Sequence, residues 1–503
     1  MKKVLVFLCL ISVSLSSFAK TIDQQTAQSV AYNFYSAKTS VQGFSDLSLA
    51  YTGTSVLNGA VVADFYIFNR ISLPGYVIVS ADDNVMPILG YSRESGFLSD
   101  HINASFQYLL NNYKNQISYA IQNNINAPAH IAANWANLKE GNSGLRAARV
   151  TSPSDSVGPL LKTKWDQFNE YSTILTYNAD CPYDAGASTP AQTVTGCVAT
   201  AMAQVMKYWN WPDTGVGNVT YTQYPNPDGI PEQSANFAVP YYFDSMPTPF
   251  VSRANAHVAK LMYDAGVSVN MNYGTSAEDG SGATVTIAYS YGSPCAESAL
   301  NTNWRYPSAK GYQRRHISQA LWLDSMINEM NSARPVIYAG QGSAGGHCWV
   351  MDGFDNDSFF HFNWGWSGQQ NGWFTVNNLN PGIGDTFNSN QEAIIRIIPD
   401  TPANYSSDTS TKATSAVTPV TTPGNTVVIY PNPAANTINV SFAGISVKEI
   451  TITDIDGRTM QQFPAAGNTS SVTLSVTDLP DGLYMVRLQT GQGVITRKFI
   501  VAK

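Results

Sequence analysis

The chain has 503 residues, of which 44% are apolar, enough to bury several cores and, at the usual domain size, roughly three or four domains' worth of polypeptide. Only 13% are charged, the formal net charge is −7, and no basic run occurs, which excludes nucleic acid as a partner. Beyond the N-terminal segment, no stretch approaches the roughly 18 apolar residues of a membrane-spanning helix.

Residues 1–19 read as a signal peptide: Lys2 and Lys3, then an apolar run from Val4 to Leu15, then small residues before Lys20. The mature chain is therefore expected to be exported. Cys9 leaves with this segment, and Cys181, Cys197, Cys295 and Cys348 remain. None pair as C-x-x-C, so no metal and no cofactor is expected. A Cys181–Cys295 disulfide and two free thiols both stay open.

Residues 20–148 predict an α+β unit. Thr26 to Ser36 has a helical pattern, Ala60–Asn69 and Gly75–Ser80 read as strands, and Asn103 to Asn123 as an amphipathic helix. No cluster in this unit carries chemistry. Residues 141–158 form an exposed, cuttable connector, which makes the first unit a propeptide. Residues 149–399 are the aromatic-rich body. Helices come first (from Cys197, Ser252–Ala265, Ser318–Asn331), then strands (Pro335–Ala339, His347–Phe354, Ser358–Trp364, Gly372–Val376, Ala393–Ile398), an α+β, two-lobed pattern. Residues 400–425 are a Ser/Thr/Pro linker. Residues 426–503 hold six short β-rich runs and predict a small antiparallel β-sandwich.

Within the body, Thr195-Gly196-Cys197 reads as a turn feeding a helix, with Thr195 as its N-cap. Val198, Met202, Val205 and Met206 give that helix one apolar face. A thiol in its first turn meets free N–H groups and the positive end of the dipole, which favour the thiolate. The thiolate needs a base, and His347, opening a strand after Gly345-Gly346, is the best placed of the six histidines. His361 is expected to pack near the site. Asn363 can hold the imidazole tautomer, with Trp364 shielding that bond. Gln167, in Trp165-Asp166-Gln167, can join the backbone N–H of Cys197 in an oxyanion hole. Cys348 alternates to the other face of the His347 strand and reads as core.

At Trp165-x-Gln167, Thr195-Gly196-Cys197-Val198-Ala199-Thr200-Ala201, Gly345-Gly346-His347 and Asn363-Trp364-Gly365-Trp366 the chain resembles the streptopain family of papain-like cysteine proteases. Gly75–Ser80 and Ile88–Ser92 resemble that family's propeptide. The resemblance implies a papain-like fold, Cys197 as nucleophile, His347 as general base and acid, Gln167 at the oxyanion position, and Trp364 with Asn363 beside the histidine. It implies substrate contacts at Gly346 and in the glycine-rich loop around Ser281. It also implies a zymogen held by its own propeptide, acting on proteins or peptides. Tyr430-Pro431-Asn432-Pro433, Asp456-Gly457-Arg458 and Leu479-Pro480-Asp481-Gly482 resemble the sorting domains read by the type IX secretion machinery. The expected function is a secreted cysteine endopeptidase. A catalytically silent surface binding protein on the same scaffold is the alternative, and an acyl transferase or amidase a third reading.

Overall fold

The computed structural model describes residues 21–38, 43–141, 156–168, 175–278, 280–342, 345–355, 359–383, 388, 390–400, 427–431, 434–442, 446–454, 459–464, 471–480, 482–490 and 493–501. The expected signal peptide, nearly all of the connector, the Ser/Thr/Pro linker and the Asp456-Gly457 turn lie outside them. Two compact units divide the chain near Pro402.

In the first unit, helix α1 (Gln24–Lys38) precedes four strands, β1 (Leu47–Leu57), β2 (Ala60–Arg70), β3 (Tyr76–Ser80) and β4 (Ile88–Ser92). Helices α2 (Ala104–Gln122) and α3 (Ala129–Glu140) follow. Asn103 caps α2, its side chain accepting from the Phe106 N–H at 2.8 Å. The body contributes helix α4 (Cys197–Trp209), helix α5 (Ala256–Ser268), strand β5 (Lys310–Gln313), helix α6 (Gln319–Asn331) and strands β6 (Val336–Gly342), β7 (Gly345–Phe354), β8 (Phe360–Asn363), β9 (Gly372–Phe374) and β10 (Gln391–Ile395).

All ten strands form one sheet, in the order β1-β2-β3-β4-β9-β8-β7-β6-β10-β5. The N-terminal unit and the body are therefore one hydrogen-bonded surface, joined where Tyr91 and Gly90 pair with Trp373 and Phe374. Gly90 permits that approach, since a Cβ there would lie 2.5 Å from Phe374 Cδ1. β3 and β4 are buried at every position, so this junction lies inside the molecule.

Helix α4 departs from the amphipathic expectation. Every residue from Val198 to Met206 is buried. Its core partners come from α5 on one side (Leu261, Met262, Ala265) and from β6 and β7 on the other (Ile337, Ala339, Val350). Ala199, Ala201 and Ala203 leave room for both neighbours. Enclosure on all sides removes the need for a polar face. The N-cap also differs: Gly196, at φ 84°, precedes the helix, while Thr195 Oγ1 bonds to Thr200 Oγ1 at 2.8 Å. A Cβ on Gly196 would be strained by that φ and would lie 2.8 Å from Met271 Cε.

The C-terminal unit holds two antiparallel sheets. One runs Val428–Tyr430, Thr437–Ser441, Ser471–Ser475; the other runs Thr459–Pro464, Val447–Asp454, Gly482–Thr490, Gly493–Val501. Ile438, Val440 and Leu474 from the first meet Ile450, Ile452, Val486 and Leu488 from the second in one core.

Candidate active site

Cys197 is the first residue of α4, and β7 brings its own first residues, Gly345 to Cys348, alongside. The N–H groups of Cys348, Val198 and Cys197 itself all act on the Cys197 sulfur. Burial nonetheless dominates and pushes the thiol above its ordinary value, with those three N–H groups opposing it. The thiolate expected from the helix terminus is therefore not favoured in this form. Cys348 sits in the core behind the site, as its strand position requires. All four described cysteines, Cys181 and Cys295 included, are free thiols.

His347 lies opposite Gly340 in the β6–β7 ladder. Burial lowers its proton affinity. Among the described residues it makes no hydrogen bond to Cys197. Its ring instead faces Tyr108 of α2, with centroids 6.5 Å apart and planes at 57°. Burial thus favours the neutral form of both the thiol and the imidazole.

Gln167 reaches the site through its backbone. The Thr195 N–H donates to the Gln167 carbonyl at 3.1 Å, which ties the Trp165–Gln167 arm to the chain entering α4. Its side-chain amide has no partner among the described residues. Asp166 anchors the same arm: it accepts from the Gln167 N–H at 2.7 Å and from Ser367 Oγ at 2.5 Å.

Asn363 does not meet His347. Its Nδ2 donates to the Thr163 carbonyl at 2.7 Å and to Gln204 Oε1 at 3.2 Å, and its Oδ1 accepts from Gln204 Nε2 at 3.3 Å and the Gly365 N–H at 3.2 Å. Trp364 is likewise turned from the histidine. It packs on Trp349 at 5.1 Å and on Phe106 of α2 at 5.7 Å, and its indole N–H donates to the Gln370 carbonyl at 2.9 Å. Gly346 is exposed at the start of β7. Ser281 Oγ donates to the Val194 carbonyl at 2.6 Å and accepts from the Gly274 N–H at 3.0 Å, so this hydroxyl is spent clamping the glycine-rich loop beside the approach to Cys197.

Two further groups carry the site and were not read from the sequence. Gln204, fully buried, sits on α4 seven positions after Cys197 and bonds at once to Asn363 and to the Trp165 N–H, the latter at 3.2 Å. A glutamine seven residues on reads as an ordinary helix position, and no local signal separates it from one. The second is a charge cluster across the junction of the two halves. His361 Nδ1 lies 2.5 Å from Asp352 Oδ1 and its Nε2 2.5 Å from Glu94 Oε1, while Lys164 Nζ lies 2.6 Å from Glu94 Oε2. Burial acts to lower the His361 proton affinity, but Asp352 and Glu94 overcome it and raise the pKa to about 9. Burial would raise Glu94, and the bonds and charges of His361 and Lys164 bring it down to about 2. Lys38 of α1 and Tyr91 of β4 reach Asp355 in the same way, at 2.6 and 2.7 Å. His361 is thus an imidazolium between carboxylates.

Comparison with known proteins gives three family matches: the Spi protease inhibitor over residues 19–117, the peptidase C10 family over 165–374, and the secretion system C-terminal sorting domain over 428–502. Streptopain of Streptococcus pyogenes is 30% identical over 359 residues, covering 67% of this chain and 81% of the relative. The thiol protease/hemagglutinin PrtT of Porphyromonas gingivalis is 29% identical over 417 residues, covering 78% of this chain and 43% of PrtT. Among solved structures, a prointerpain A fragment from Prevotella intermedia superposes with a TM-score of 0.55 at 26% identity, over 71% of this chain and all of the fragment.

Proposed function

Because this chain belongs to the peptidase C10 family, and is a cysteine peptidase made as a zymogen and secreted by way of a C-terminal sorting domain, we propose that Cys197 is its nucleophile and His347 its general base and acid. The observation that carries this reading is the meeting of the α4 N-terminus with the start of β7, under the pro-segment residue Tyr108. The domain limits we propose are 1–19 for the signal, 20–148 for the propeptide, 149–399 for the catalytic domain and 426–503 for sorting.

In the active enzyme the Cys197 proton passes to His347. The sulfur bonds to the substrate carbonyl carbon, and the negative charge on its oxygen is met by the Cys197 N–H and the Gln167 amide. As the C–N bond breaks, His347 returns the proton to the leaving amine. Water, deprotonated by His347, then cleaves the thioester and restores the thiol. Trp364 would reach the imidazole only after Tyr108 and Phe106 withdraw, and Asn363 only once its bonds to Thr163 and Gln204 rearrange. Gly346 and the loop around Ser281 would then border the substrate backbone. Substrates are proteins and peptides, with the pro-segment as the built-in inhibitor and the type IX machinery as the route out.

Replacing Cys197 by Ala tests this. Full-length C197A is expected to leave a protein substrate and its own pro-segment uncut, with unfolding unchanged. Processing at the parent rate would refute the assignment.

A further inference from the structure

The side chain that follows the proposed base has no part in the cleavage chemistry. Side chains alternate along β7, so His347 and Trp349 face Tyr108 of α2, while Cys348 between them turns the other way. Cys348 is 1% exposed and lies in the core that α4 shares with Ile337, Ala339 and Val350. Cys197 packs on that same core from the first turn of α4. Among the described residues no member of this core comes from the pro-segment. The pairing of Cys348 with Ala339 in the β6–β7 ladder is likewise internal to the body.

Two contacts join the cysteines. The Cys348 N–H acts on the Cys197 sulfur, which puts the start of one residue beside the thiol of the other. The two thiols also act electrostatically on each other's charge, from helix to strand. Packing needs only a small apolar group here, as alanine already supplies at the paired position 339. A second thiol beside the first adds chemistry that alanine lacks. Their exposure differs: Cys197 is half-buried and Cys348 closed off, so an oxidant from solvent meets Cys197 first. The other cysteines have other company. Cys295 Sγ donates to Ser298 Oγ at 3.4 Å, and Cys181 lies among Tyr221, Tyr263 and Tyr273.

We propose that Cys348 is the resolving thiol of Cys197: once a peroxide has oxidised the nucleophile, the two close a disulfide that a thiol reductant reopens. This inference rests on the assignment of Cys197 as nucleophile. In the first step the Cys197 thiolate attacks one oxygen of hydrogen peroxide. The O–O bond breaks, a sulfenic acid forms, and the departing hydroxide takes up a proton as water. In the second step the Cys348 sulfur bonds to the Cys197 sulfur, the S–O bond breaks, and the Cys348 proton leaves with the hydroxide as water. The two thiols lose two electrons and the peroxide gains them. Burial first, then Cys197 and Glu392, hold the Cys348 thiol well above its ordinary value, so it does not compete for the oxidant. Closeness rather than acidity drives the second step. Without a second thiol the sulfenic acid is open to further oxidation to sulfinic and sulfonic acids, which thiols do not reverse.

The test uses full-length protein after self-activation, treated with hydrogen peroxide and then with dithiothreitol, each sample scored against its own untreated rate. Unreduced peptide maps should show the Cys197 peptide joined to the Cys348 peptide with the loss of two hydrogens, and dithiothreitol should restore most of the activity. In Cys348→Ala the Cys197 peptide should instead carry two or three added oxygens, and recovery should be about tenfold lower. Should that variant fail to fold, the peptide map of the parent decides alone. No joined peptide, a link from Cys197 to Cys181 or Cys295, or equal recovery in the two proteins overturns the resolving role and leaves the nucleophile assignment standing. A joined peptide with cleavage activity intact overturns both.

Discussion

Glu94 and His361 show at the level of single groups how the pro-segment is held. An imidazolium between two carboxylates, with Lys164 on the outer oxygen, is a buried charge set in which each member depends on the others. His361 has a folded pKa raised from 6.5 to about 9, so its contribution is complete below about pH 6.5 and is lost as pH rises through about 9. Glu94 has a folded pKa lowered from 4.5 to about 2, so its contribution is complete above about pH 4.5 and is lost as pH falls towards about 2. The zymogen should therefore be most resistant to unfolding between these limits, which thermal melts across pH would reveal. Removing the charge in Glu94→Gln leaves His361 and Lys164 short of a partner. This variant is expected to lose about 3 kcal/mol in denaturant titrations of the C197A background. It should also activate faster in the parent. Unchanged melting and activation would remove this cluster from the account. The charge on His361 is not legible in the sequence, because Glu94 lies 267 positions away in the chain.

Among elements, α4 carries the most. Its residue Gln204 ties three segments together: the helix, the Trp165–Gln167 arm and the Asn363 turn. In Gln204→Leu the Trp165 N–H loses its partner and the Asn363 amide is left with Thr163 and Gly365 alone, at a cost of about 1–3 kcal/mol. Because the arm proposed to carry the oxyanion donor hangs from Trp165, kcat should fall more than KM rises. A loss of stability with kcat intact would make Gln204 a packing residue alone. Helix α4 itself was legible because Cys197 to Tyr208 is a dense run of helix-compatible apolar and small residues. Its cap was not, since the choice between Thr195 and Gly196 turns on a positive φ that only the close pass by Met271 and Ser281 demands. The strands β2, β3 and β6 to β10 were found to within a few residues from their apolar runs. β1 was missed because Ser, Thr and Gly break up its apolar pattern, and Thr459–Pro464 because it is a polar edge strand. Helix α3 was missed as well; it buries only Ile131, Trp135 and Leu138 against the rest, a stripe too thin to declare itself.

Across the whole first unit, latency follows from one continuous sheet. The pro-segment adds four strands to the edge at β9 and lays α2 against the body, so that Tyr108 faces His347 and Phe106 packs on Trp364. The order glutamine, cysteine, histidine, asparagine-tryptophan was readable in the chain because chemistry restricts those residue types. The bonds that hold Asn363 to Thr163 and Gln204, and the ring of Tyr108 against His347, were not, because no local pattern encodes contacts between such distant segments. Widening Gly90 to Val would press on Phe374 and the Trp373 carbonyl at the junction strand. The expected result is faster hydrogen exchange in β3 and β4 and earlier activation; protection equal to the parent would show that the sheet junction does not hold the pro-segment.

The central claim is that Cys197 becomes a reactive thiolate only when α2 withdraws from His347. Its most direct measurement is the rate at which iodoacetamide alkylates Cys197, followed on the peptide that contains it, in the full-length zymogen and after activation. Labelling is expected to be slow in the latent form and to rise by about a hundredfold or more on activation, with a pH profile showing a thiolate well below neutrality. Equal rates before and after, or a Cys197 no faster than free cysteine in a protein that cleaves peptides, would contradict it.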